Sequence, residues 1–173
     1  ASQSQRSASA SGIQLTRVER ELTENSLRYQ HVNIEIDRAK RTATITVRAP
    51  QGKQPNSAEA IEKASATWWP LAMGRELDDA ILHLRTNELD IGTWLLKTEG
   101  DAAAVLAADA TMLEHKNHWL VNETIALLRR TFARLDVSSR SLFAIIEPGS
   151  CFAGMLAEFA FAADRTYMLV LPD

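Results

Sequence analysis

Two short segments, "HVNIEID" and "TATITV", constrain this chain more than any other feature. In the first, Val32, Ile34 and Ile36 alternate with Asn33, Glu35 and Asp37; in the second, Ala43, Ile45 and Val47 alternate with Thr42, Thr44 and Thr46. A period of two places alternate side chains on opposite faces of a strand, so each segment is expected to be a strand with one packed face and one wet face. The polar link 38–41 is short enough to join them as an antiparallel hairpin. Pro50, Gly52 and Pro55 then end the regular structure.

The period changes after the hairpin. Pro70 suits the first helical position, and Leu77, Ile81 and Leu84 recur at helical spacing, which predicts an amphipathic helix over 71–85. "TWLLKT" (93–98) reads as an apolar strand, and "EGDAAAVLAAD" (99–109) as an Ala-rich connector. Val121, Ile125, Leu128, Phe132 and Leu135 mark a second long helix. "LFAII" (142–146), a glycine turn, a short helix from Gly154 and a strand "TYMLVL" (166–171) complete the series. The late strands are apolar on both faces, as buried parallel strands are. The fold class expected is α/β with an antiparallel start.

Residues 1–27 are expected to be a flexible tail or linker, because 1–12 are rich in Ser, Ala and Gln with little to bury. "TRVE" (16–19) has the spacing of a capping box, which allows a short helix there. Residues 28–173 form the expected domain. Apolar residues at 46% and charged residues at 24% are a globular composition, and a net charge of −3 argues against a nucleic-acid partner. The single cysteine allows no internal disulfide and fits a reducing compartment. No apolar run approaches the ~20 residues that span a bilayer. The expectation is a cytoplasmic protein with no membrane partner. The sequence stops just after a strand with no helix to cover it, which suggests part of a longer chain.

The stretch with chemical potential is "EPGSCFAGMLAEFAFAAD" (147–164). A helix starting near Gly154 would aim free N–H groups at whatever precedes it, and two such donors can hold a developing oxyanion. Glu158, about one turn in, could act as acid or base if buried. The bland alternative is a glycine corner with Glu158 in solvent. Cys151 has no His placed beside it and reads as a small buried residue. His115 and His118 could share a helix face beside Glu114, but lack a metal-site pattern. "WWP" (68–70) reads as a packed anchor.

The order of elements, with "ELDDAILHLRTNELDIGTWLLKTEG" (76–100), "VLAAD" (105–109) and "GMLAEFAFAAD" (154–164), resembles the crotonase (enoyl-CoA hydratase/isomerase) superfamily. "VLAAD" sits where that superfamily has Ala-Ala-Gly-Ala-Asp, and "GMLAEFAFAAD" where it has Gly-Gly-Gly-Cys-Glu, an apolar run and Cys-Asp. The phrases "LRYQHVNIEIDRAKRTATITVRAP", "WLLKTEGDAAAVLAAD" and "LFAIIEPGSCFAGMLAEFAFAADRTYML" further resemble its carbon–carbon lyases that open an oxidised benzoyl-CoA ring, at the dihydrodiol or epoxide level, and release formate in aerobic benzoate degradation.

The resemblance implies a crotonase-like ββα spiral, incomplete at its C-terminus, and a CoA-thioester substrate with no cofactor beyond the coenzyme A it carries. It implies packing against a second crotonase-like half, with homo-oligomerisation. It places a catalytic carboxylate at Glu158 and oxyanion donors at the N–H groups of Leu106 and Met155, with Gly154 beside the second. Leu106 and Met155 are bulky where the superfamily has small residues, and Ala107 replaces a glycine. The superfamily's second carboxylate would fall beyond Asp173. Two alternatives follow: a non-catalytic half that serves packing, assembly or the shaping of a neighbouring site, or a generic enoyl-CoA hydratase or isomerase.

Overall fold

The computed structural model describes residues 12–170. The alternating segments form β3 (Val32–Asp37) and β4 (Thr42–Arg48), an antiparallel pair in which Ile34 faces Ile45. Their apolar set is buried and their polar set is exposed or half-buried, as the period required. Two short strands precede them, β1 (Glu21–Leu22) and β2 (Ser26–Arg28). After a short helix α1 (Ala58–Ala64), α2 (Trp69–Asn87) crosses to β5 (Thr93–Glu99). Helices α3 (Ala102–Glu114) and α4 (Trp119–Asp136) lead to β6 (Ser141–Ile146). A 3-10 turn (Gly154–Ala157) and α5 (Glu158–Ala162) lead to β7 (Arg165–Met168).

The seven strands form one sheet in sequence order; β1 to β4 pair antiparallel, and β4 to β7 pair parallel. The α/β class and antiparallel start are as expected. One face of the sheet carries Val32, Ile34, Ala43, Ile45, Trp94, Leu96, Leu142 and Ala144, all essentially inaccessible. This face packs with the α2 stripe (Met73, Leu77, Ile81, Leu84) and the α4 stripe (Val121, Leu128, Leu135) into one core. The two helices approach so closely that a Cβ on Gly74 would lie 2.9 Å from the Leu128 side chain. Trp69 is buried with its indole N–H on the Arg48 carbonyl at 3.1 Å, an anchor as read.

Several expectations need correction. No helix follows Thr16: the described residues 12–20 are irregular, and the sheet begins at Glu21, ahead of the boundary expected at 28. The cause is Leu27, which is fully buried, while the Arg28–Asn33 and Ser26–Glu35 pairings extend the hairpin into a meander. The expected tail lies outside the described residues for 1–11. The connector 99–109 is mostly helix, because the Asp101 carboxylate accepts the Ala103 N–H at 2.8 Å and caps α3. Strands β5 and β6 are apolar on both faces but covered on one only, with Leu95, Phe143 and Ile145 half-buried, and β7 (Arg165–Met168) is exposed along its length. The last strand is shorter than expected, and Leu171 lies outside the described residues. Among the described residues no helix is long and apolar enough to cross a membrane.

Candidate functional site

The turn after β6 is built from backbone hydrogen bonds. The Ser150 N–H reaches the Glu147 carbonyl at 2.9 Å, and the Glu147 N–H reaches the Ser150 hydroxyl at 3.0 Å. Gly149, at φ 88°, offers its carbonyl to the Gly100 N–H at 3.0 Å, which ties this turn to the end of β5. The Cys151 N–H donates to the Thr98 hydroxyl at 2.9 Å. Cys151 is buried, and that burial pushes its thiol up, away from the thiolate a nucleophile needs.

Beyond the turn the chain meets α3. Gly154 has φ +49°, a region that costs an L side chain, and a Cβ there would lie 1.9 Å from Asp109 Oδ2. The next N–H, that of Met155, donates to the same oxygen at 2.6 Å. The other oxygen, Oδ1, is buried with no hydrogen-bond partner among the described residues. Burial raises the Asp109 carboxyl above its ordinary range, and the Met155 N–H opposes that shift.

The two expected donors are therefore not a pair of free N–H groups. Leu106 lies inside α3, where helix geometry turns its N–H toward the Ala102 carbonyl. Its side chain is 53% exposed, so it does not crowd the turn. Ala107 is helical too and carries no positive-φ strain. The Met155 N–H is properly aimed, but at Asp109. Sequence reading assigned Asp109 no role; the signal available was the single acidic residue that closes the apolar "VLAAD".

Glu158 opens α5 and is exposed, so the burial that an acid–base role called for is missing. It borders a cavity of ≈ 600 Å³ between α3, α4 and α5, together with Met112, Leu128, Phe132, Met155 and Arg129. Met155 and Glu158 thus meet at one cavity, whereas Leu106 does not line it. Phe159, fully buried, packs edge-on against Phe132 at 5.7 Å and holds α5 to α4. Asp164 anchors the far end: its carboxylate accepts the Leu142 N–H at 2.8 Å.

His115 and His118 fall in the link between α3 and α4, not on one helix. The described residues contain no cluster of three metal-ligating side chains. The shape of the site is that of a corner at the C-terminal ends of parallel strands, where open α/β sheets place ligands, but with its aimed donor already bonded.

No family model matches the chain. The benzoyl-CoA-dihydrodiol lyase of Aromatoleum evansii is 57% identical over 166 residues, which cover 96% of this chain and 30% of that relative. The likeness read from the three quoted phrases thus extends along nearly the whole chain, and the chain spans under a third of the relative's length. The crystal structure of an enoyl-CoA hydratase from Geobacillus kaustophilus is similar with a TM-score of 0.48 and 15% identity, over 83% of this chain and 47% of that one.

Proposed function

We propose that this chain is a crotonase-like segment of a carbon–carbon lyase that opens an oxidised benzoyl-CoA ring and releases formate. The observation that carries the reading is the 57% identity to a benzoyl-CoA-dihydrodiol lyase across 96% of the chain. The activity belongs to the longer protein, in which water adds to the oxidised ring, the ring opens, and an oxyanion hole holds the thioester enolate. Coenzyme A enters with the substrate, and no other cofactor takes part.

Within that protein this segment serves packing, assembly and the shaping of a neighbouring site. Support comes from its two candidate donors: one N–H is spent inside α3 and the other on Asp109. The half-buried sheet face with Leu95, Phe143 and Ile145 is a surface on which a second crotonase-like half can pack. A second reading keeps Glu158 as an acid or base, and the cavity it shares with Met155 favours it.

The test is product analysis on the longer lyase. Oxidised benzoyl-CoA should yield one formate for each ring opened. Hydration of a simple enoyl-CoA, with no formate from the oxidised ring, would replace this reading with that of a generic hydratase.

A further inference from the structure

The geometry points to Asp109 as a built-in occupant of the anion position at the Gly154 turn, a positioning residue that keeps this turn closed to a thioester oxygen. The Met155 N–H is the donor such a turn would offer a ligand, and at 2.6 Å it makes a short, charge-assisted bond to the Asp109 carboxylate instead. The glycine beside it serves the same partner. With a Cβ only 1.9 Å from Oδ2, any other residue at position 154 would displace the carboxylate, so the close backbone approach is used by Asp109 and not by a substrate.

The carboxylate is delivered by a rigid element. Asp101 caps α3, and Val105, Ala108 and Met112 bury the helix face next to Asp109. The other carboxylate oxygen, Oδ1, has no hydrogen-bond partner among the described residues, so the Met155 N–H is the polar contact that seats this carboxylate at the turn. The choice of benzoyl-CoA as probe rests on the proposed lyase reading, whereas the occupancy itself rests on the geometry alone.

The test is hydrogen-exchange mass spectrometry of residues 152–158, in this chain and in the longer lyase. In the wild type the segment should be protected, and benzoyl-CoA should not change it. Asp109→Asn keeps an acceptor oxygen and should keep the protection. Asp109→Ala should speed exchange about tenfold or more, the weight of a hydrogen bond to a charged group, and acetate or benzoyl-CoA should slow it again.

Slowing by benzoyl-CoA in the wild type would overturn the proposal, since the turn would then be open with Asp109 in place; this arm needs no variant to fold. Unchanged protection in Asp109→Ala, or no slowing there by either anion, would overturn it too. If the alanine variant unfolds throughout, loss of protection confined to 152–158 in Asp109→Asn counts against it. Slowing by acetate but not by benzoyl-CoA in Asp109→Ala would leave the occupancy standing and count against the lyase reading.

Discussion

The turn from β5 into α3 and the turn from β6 toward α5 start alike and finish differently. Each opens on a glycine at positive φ, Gly100 at 126° and Gly149 at 88°, and the two are joined by the Gly100 N–H to Gly149 carbonyl bond. In the first, Asp101 caps a helix at once, so the N–H groups from Val105 onward, that of Leu106 included, are drawn into α3. In the second, no side chain caps the helix, the chain stays irregular through Ala153, and the Met155 N–H remains aimed across the gap. The difference is instructive: a cap placed next to a strand end converts potential ligand donors into helix bonds, whereas an uncapped glycine turn keeps a donor available for whatever anion is nearest. Here the nearest is Asp109, carried by the first turn's own helix.

The largest expected effect is at Phe159. Helix α5 has only five residues, too few to persist without tertiary packing. Phe159→Ala removes its buried anchor and should cost about 3–5 kcal/mol in urea unfolding. Gly154→Ala comes next, at about 2–4 kcal/mol, because it combines positive-φ strain with a collision against Asp109. In an Asp109→Ala background the collision is gone, so the same substitution should cost less; equal costs in both backgrounds would show that the carboxylate does not press on this turn.

Asp101→Ala tests the other turn. Loss of the cap should cost about 1 kcal/mol and speed amide exchange in the first turns of α3. The smallest effect concerns pH. Burial raises the Asp109 carboxyl in the folded protein, so its contribution to stability is full below the ordinary aspartate range and falls as pH rises through the raised value. The wild type should therefore lose stability relative to Asp109→Asn across that window. Burial raises Glu76 as well, where its carboxylate accepts the His31 N–H at 2.7 Å, but that residue is common to both variants and cancels in the difference.

Much of the scaffold was legible because it is periodic. Ile34 and Ile45, or Leu77, Ile81 and Leu84, declare their faces by spacing alone, and β3, β4, α2 and α4 follow. Helix α3 was missed because "AAAVLAADATMLE" has little polar contrast and buries only Val105, Ala108 and Met112. Strands β1 and β2 are too short to show a period, and pairing creates them, β2 against β3 and β1 against β2. The glycine corner at 154 was legible, and the exposed Glu158 matches the plainer of the two readings the sequence left open. The role of Asp109 was illegible, since its partner Met155 is distant in sequence and only the packing of α3 on the turn brings them together.

If this corner holds no thioester for catalysis, its exposed carboxylate Glu158 is dispensable for turnover. The direct test is ring-cleavage turnover of the proposed longer lyase carrying Glu158→Gln. The expected rate is close to wild type. A fall of about 10²-fold or more, the usual weight of a general acid or base, would contradict it and return the chemistry to this turn.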